Sequence, residues 1–334
     1  MKKLFLMLIV MPVLIGLTAA AGFMYWSSQP VFIGDTAIEF TIRPGSGVRS
    51  LSHQLQESGL PVQPLMFEIL ARLSGKASRL KAGSYELESG KTPVELLEKI
   101  ANGEFSQGTL AIIEGWTFSQ MRKAVDAHPA LQHDTKGVSD VELLKKIGVP
   151  YQAAEGLFFP DTYLFAKGSS DLQLYQQAYA MMSKRLDDAW ATRSSGLPYK
   201  NAYEVLIMAS IVEKETGQKS ERSLISAVFS NRLKTGMLLQ TDPTVIYGMG
   251  DAYQGKIYKR DLLTDTPYNT YTRAGLPPTP IALPGLASLT AAANPARSDA
   301  LYFVARGDGS SHFSTNLSEH NQAVNKYQRN IRSK

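Results

Sequence analysis

The chain has 334 residues, 44% of them apolar and 19% charged, which is enough for two folded domains with a sizeable core and unlike a disordered chain. Its net charge of +5 suits an anionic partner surface, but the cations are dispersed without a long basic run, so nucleic acid is not an expected partner. With no cysteine, a disulfide framework and a thiolate metal site are both excluded.

Lys2 and Lys3 precede an uncharged run over residues 4–26. At about 1.5 Å per residue this run is long enough to cross a ~30 Å hydrocarbon core. Tyr25 and Trp26 at its far end read as interfacial aromatics, and the two lysines place the following chain on the outer side of the membrane. A cleaved signal peptide is the other reading, since Ala19, Ala20, Ala21 and Gly22 are small. The apolar run continues through Phe23, Met24, Tyr25 and Trp26, which supports an uncleaved, single-pass anchor over residues 1–26. Pro12 is tolerated inside a membrane helix. Residues 27–36 read as a short polar linker.

Residues 37–42 alternate and predict a strand, followed by a turn at Pro44, Gly45, Ser46 and Gly47. Val48, Leu51 and Leu55 carry helical spacing that stops at Gly59, and a second helix spans residues 64–73. A turn then leads into a strand ending near Leu87. Thr92, Pro93 and Glu95 form an N-cap, a first-turn proline and a first-turn acid for a helix that ends near Gly103. This β-α-α-β order over residues 37–105, with PGSG leading into a helix, resembles a LysM-like module, which implies binding to N-acetylglucosamine-containing glycan. A generic small α+β domain or spacer fits the same pattern.

Residues 108–113 read as a strand, and Thr117 or Ser119 as the cap of the helix carrying Met121 and Val125. The segment EGLFFPDTY (155–163) is dense in aromatics, which either line a sugar site or fill a core. A long amphipathic helix spans 171–191, and a nearly unbroken apolar helix begins near Asn201. Ser220 is the expected cap of a helix closed by Gly236. Residues 240–248 (QTDPTVIYG) read as an irregular stretch of polar and aromatic groups. Pro277, Pro278 and Pro280 require a fixed irregular loop. A short helix near 288–293, a hairpin turning at Asp308 and Gly309, and a terminal helix opened by Ser318 complete the chain. The fold class is α+β, with a mixed α+β catalytic domain over 106–334 behind the anchor and the smaller module.

The apolar helix ends in Glu213, Lys214 and Glu215. At about 100° per residue measured from Val205, Met208 falls near 300°, Ile211 near 240°, Val212 near 340° and Glu215 near 280°. A carboxyl among such side chains is costly to ionise, which suits a general acid at neutral pH. A helix-end glutamate in water or paired with a cation is the alternative. Glu213 falls near 80°, beside Leu206 and Ala209. No P-loop, dinucleotide fingerprint, HExxH or GxSxG occurs, and His53, His128, His133, His312 and His320 are scattered without ligand spacing beyond the loose pair 312 and 320. No metal and no cofactor are expected. One acid among Asn, Gln, Thr and Tyr suits a carbohydrate better than a phosphate or a peptide.

The ordered segments EGLFFPDTY, IMASIVEKET (207–216), LQTDPTVIYGMG (239–250), YNTYTRAGLPP (268–278) and LYFVARGDGSSHFSTNLSEHN (301–321) resemble the MltG (YceG-like) family of endolytic murein transglycosylases. The resemblance covers essentially the whole chain and implies an inner-membrane enzyme with its catalytic domain in the periplasm, acting on peptidoglycan glycan strands beside membrane-bound peptidoglycan synthases. The family's catalytic glutamate, the second of E-K-E-T, falls on Glu215. Phe158, Phe159 and Tyr163 replace a Trp-rich form of the aromatic motif, and Gly217 follows E-K-E-T. Sugar contacts are expected from Gln240, Thr241, Asp242, Tyr247, Tyr268, Asn269 and Asn316, and Glu213 is expected to be structural. Two other readings are a muramidase, with Glu213 or Asp242 as second carboxylate, and a membrane-tethered glycan-binding scaffold.

Overall fold

The computed structural model describes residues 2–215 and 218–329, so Thr216 and Gly217 of the E-K-E-T segment lie outside the described residues. The chain forms two compact units. The first holds the residues up to 109 with 130–132 and 164–169; the second holds 110–129, 133–163 and the chain from 170 on.

In the first unit, α1 (Lys2–Ser28) is followed by β1 (Ile38–Ile42), α2 (Val48–Glu57), α3 (Pro64–Leu73), β2 (Gly83–Leu87) and α4 (Pro93–Asn102). Within α1, Val10–Ser28 is long and apolar enough to cross a membrane. β1 pairs antiparallel with β2, Phe40 opposite Tyr85, and their rings stack at 5.5 Å. α4 starts as its sequence dictates. Thr92 and Glu95 form a reciprocal capping box, and Gly103 ends the helix in the left-handed region at φ 75°. Leu51, Leu55, Phe67, Leu96, Leu97 and Ile100 fill the core, against which Phe23 and Trp26 of α1 also pack. Residues 27–36 lie on this body: the Val31 amide donates to the Lys91 carbonyl at 2.7 Å and the Gly34 amide to Ser89 Oγ at 3.0 Å.

The chain continues with β3 (Gln107–Ala111), α5 (Phe118–Asp126), β4 (Leu131–Gln132), α6 (Asp140–Lys146), β5 (Thr162–Ala166), β6 (Ser169–Ser170) and α7 (Asp171–Ala191). Thr117, not Ser119, caps α5, with Gln120 completing the box. The aromatic segment is core: Phe158 is fully buried between Phe118 and Tyr175, with ring separations of 5.0 and 5.6 Å.

α8 (Ala202–Glu215) is the central helix. Asn201 Oδ1 accepts from the Glu204 amide at 3.0 Å and opens it. Every residue from Val205 to Val212 is buried, because α7, α9 (Arg222–Lys234), α10 (Asp242–Met249) and α12 (Leu286–Ala293) enclose it. α11 (Lys259–Leu263) precedes the proline-rich loop that leads to α12. β7 (Tyr302–Ala305) and β8 (Ser311–Ser314) form the expected hairpin, and α13 (Leu317–Val324) follows.

Three expectations are corrected. Residues 242–249 are helical rather than irregular: Thr241 is the N-cap residue and Pro243 sits in the first turn, where its missing N–H costs nothing. Ser220 lies inside a short 3-10 turn, Lys219–Glu221, and does not cap α9. Asn316, not Ser318, caps α13, its Oδ1 accepting from the Glu319 amide at 3.0 Å.

Candidate active site

α8 delivers Glu215 to the wall of a cavity of about 570 Å³ in the second unit. The other walls come from α9 (Phe229, Arg232), from the segment entering α10 (Leu239, Gln240, Asp242), from Tyr271, from β7 (Tyr302) and from α13 (His320, Asn321). Burial pushes the Glu215 carboxyl above its ordinary value. A hydrogen bond from the Thr241 hydroxyl to Oε1 opposes this, the Asp242 charge adds to it, and Arg232 opposes it. The protonated form of a carboxyl at the wall of a polar cavity is thereby favoured.

Arg232 is the strut of the cavity. Its Nε donates to the Leu301 carbonyl at 2.7 Å, and its Nη1 donates to the Leu238 and Leu239 carbonyls at 3.2 and 2.9 Å. The guanidinium lies 5.1 Å from the Tyr302 ring centre, and His320 stacks on the same ring at 5.1 Å. Burial, then Arg232 and His312, hold the His320 imidazole below its usual range, so its ring is neutral at pH 7. Beside Arg232, Gln240 is left-handed at φ 51°, alone in this among the described non-glycine residues. Such a backbone persists where surrounding contacts fix it. Its amide donates to the Thr270 carbonyl at 3.1 Å.

The expected site residues are therefore divided. Glu215, Gln240 and Asp242 share the cavity. Asp242 Oδ1 accepts from the Tyr271 hydroxyl at 2.6 Å. Thr241 is 1% exposed and gives its hydroxyl to Glu215, so it touches the acid rather than the cavity space. Tyr247 and Tyr268 stand elsewhere, around Glu155 and Thr279. Asn269 is fully buried, its amide donating to the carbonyls of Asp261, Leu262 and Thr264. Asn316 is a helix cap.

Glu213 differs sharply from Glu215. Its Oε1 meets Arg222 Nη2 at 3.0 Å with both side chains under a tenth exposed, and its Oε2 accepts from the Gly285 amide at 3.0 Å. It is a satisfied structural ion pair. Sequence reasoning passed over Arg232, Tyr271, Tyr302, His320 and Asn321. A signal existed for Arg232, which falls four residues after Val228 and seven after Ile225, on the buried stripe of α9.

The "Endolytic murein transglycosylase" of Bacillus subtilis (strain 168) is 30% identical over 311 residues, 87% of this chain and 85% of that protein. The protein of the same name from Streptococcus pneumoniae (strain D39) is also 30% identical, over 85% of this chain and 57% of its own length. A crystal structure of a yceG-like protein from Listeria monocytogenes matches with a TM-score of 0.55 and 29% identity, covering 86% of this chain and 99% of that one. Residues 40–326 match the YceG-like family, and the chain belongs to it.

Proposed function

We propose that the protein is a lytic transglycosylase that cuts peptidoglycan glycan strands internally, between N-acetylmuramic acid and N-acetylglucosamine. The observation that carries the reading is Glu215, a carboxyl whose protonated form burial favours, at the wall of a polar, aromatic cavity and with no ion-pair partner among the described residues. The names of the relatives from Bacillus subtilis and Streptococcus pneumoniae support it.

In the proposed reaction, Thr241 occupies Oε1 of Glu215 and leaves Oε2 to carry the mobile proton. Glu215 gives that proton to the glycosidic oxygen, and the bond from that oxygen to the anomeric carbon breaks. The positive charge at the anomeric carbon is met by the substrate's own N-acetyl group. Glu215, now a carboxylate, takes the proton of the C6 hydroxyl of the same sugar, whose oxygen closes onto the anomeric carbon. A 1,6-anhydro end results, no water is consumed, and the enzyme recovers its proton. Intramolecular attack gains a high effective molarity, so one carboxyl suffices. Gln240, Asp242, Tyr271 and His320 are the groups placed to meet sugar hydroxyls and acetamido groups.

α1 supports a single-pass anchor, with the catalytic unit in the periplasm beside membrane-bound synthases, where cleavage would end the growth of nascent strands. The β1-α2-α3-β2 arrangement supports a LysM-like glycan-binding role for the first unit.

Purified protein incubated with uncrosslinked glycan tests the reading by mass spectrometry of the products. Anhydro ends are expected, and Glu215→Gln is expected to abolish them. Reducing ends from the wild type mean hydrolysis instead, with Asp242 as the other carboxylate that lines the cavity. Cleavage by Glu215→Gln at the wild-type rate refutes the assignment of the acid.

A further inference from the structure

Glu155 is a second carboxyl with no place in the reaction above, and it is 7% exposed. No salt bridge reaches it among the described residues. Its Oε1 accepts from the Phe118 amide in the first turn of α5 at 2.9 Å, and its Oε2 accepts from the Tyr247 hydroxyl at 3.2 Å. The backbone around it is fixed as well. Gly156 is left-handed at φ 80°, and a Cβ there would lie 2.4 Å from Pro280.

Tyr247 belongs to the last turn of α10, roughly 9 Å along the helix from Thr241 at about 1.5 Å per residue. The loop 268–271 runs beside that helix and is tied to it at both ends. At one end the Tyr247 ring packs edge-on to Tyr268 at 4.8 Å. At the other, the Thr241 amide donates to Thr270 Oγ1 at 3.1 Å, Thr244 Oγ1 meets Thr270 Oγ1 at 2.9 Å, and Tyr271 donates to Asp242. A shift of α10 therefore moves Thr241, Asp242 and Tyr271 together, and with them the hydrogen bond to Glu215.

We infer that Glu155 is a positioning residue for the glycan-cleaving site: through Tyr247 it fixes the far end of α10 and sets the bond from Thr241 to Glu215. This rests on the reading of Glu215 as the catalytic acid. Burial first of all raises the Glu155 carboxyl to about 7, against the opposing bonds from Phe118, Tyr247 and Gly156. The charged and titratable groups that face it are Tyr247 from α10, Tyr203 from α8 and Asp140 from α6. None is a cation, and Asp140 adds to the rise. As a carboxylate, Glu155 accepts at both oxygens. As a neutral acid it keeps Phe118 on one oxygen and turns its own O–H to the Tyr247 hydroxyl, so both links survive as weaker bonds without charge assistance. The clamp is therefore tightest above about pH 7 and loosened below it.

The test uses the full-length protein in detergent with uncrosslinked glycan strands. kcat and KM are measured from pH 5 to 9 for the wild type, Glu155→Gln, Tyr247→Phe and the double variant. Carboxyl carbon NMR follows the titration of Glu215 in each. Glu155→Gln is expected to lower kcat about ten- to a hundredfold at pH 8 with KM within about twofold, the scale of a small misplacement of a catalytic group. It is also expected to remove the loss of kcat below about pH 7 and to move the Glu215 midpoint. The double variant is expected to be no worse than the poorer single one, because both cut one link. A Glu155→Gln enzyme that loses melting temperature yet keeps the wild-type pH profile and Glu215 midpoint overturns the inference and leaves Glu155 a packing residue. A fully wild-type Glu155→Gln enzyme overturns it equally. Should the wild type cleave no glycan, the proposed function fails, while the Glu215 midpoint still decides whether Glu155 acts on that group.

Discussion

Replacing Thr241 with valine removes one hydroxyl and little else. The side chain is buried and the shape is conserved, and the bond from its backbone amide to Thr270 stays. The loss falls on Glu215 Oε1, which accepts from that hydroxyl. A bond to a neutral acid contributes about 1 kcal/mol, and one to a carboxylate about 2 kcal/mol. The difference, ~1 kcal/mol, is gained as the proton leaves Glu215, so kcat should fall about five- to tenfold. The pH dependence gives an independent reading. The bond from Thr241 holds the Glu215 carboxyl down against burial, so its loss raises the carboxyl further. The working acid is the protonated form, and activity is lost as pH rises through the folded-state value. The alkaline limb of kcat should therefore move to higher pH in Thr241→Val. Thr241→Ser, which restores the donor, should return both kcat and the limb toward the wild type. Rates of anhydro-end formation measured between pH 5 and 9 check this. A valine variant with wild-type kcat and an unmoved limb would refute the role of the hydroxyl.

Further outcomes follow from the same contacts. Glu215 has a folded-state carboxyl raised above its unfolded value of 4.5, so its stabilising contribution is complete below that value and is lost as pH rises through the folded one. Glu215→Gln should thus melt above the wild type at pH 8, and the gap should close toward pH 4 in thermal scans. Arg222→Met leaves the buried Glu213 carboxylate without its cation and should cost about 3–5 kcal/mol in denaturant unfolding. Glycan cleavage per folded molecule should change far less in that variant. Gln240→Gly relieves the left-handed backbone and should stabilise by about 1 kcal/mol. The same change removes a cavity wall group, so KM for glycan should rise.

The local rules were legible wherever the sequence carried both a pattern and a terminator. α3 and α7 begin and end where apolar spacing, caps and prolines place them. The capping box of α4 is written in Thr92, Pro93 and Glu95. α10 was misread because its β-branched, glycine-bearing run has weak helix propensity, and tertiary contacts with α8 decide it instead. The aromatic segment at 155–163 held a second trap. Its rings fill a core, and its functional content lies in the carboxyl of Glu155, which no periodicity reveals.

The site was legible through one residue, for a reason that needs correcting. The helical-wheel placement of Glu215 among apolar side chains assumes that α8 has a polar face. It has none from Val205 to Val212, and Glu213 is as enclosed as Glu215. Angle alone does not separate the two carboxyls; their partners do. Arg222 and the Gly285 amide compensate Glu213, an arrangement suited to holding the helix end. Glu215 receives a hydroxyl from Thr241 and only the more distant field of Arg232, whose Nε and Nη1 donate to carbonyls. Too little compensation to ionise readily, and enough to be oriented, is the condition for a group that must give a proton and then take one back. Those partners come from residues 222, 232, 241 and 285, so the distinction between Glu213 and Glu215 exists only once α9, the entry to α10 and the loop before α12 are folded around the end of α8.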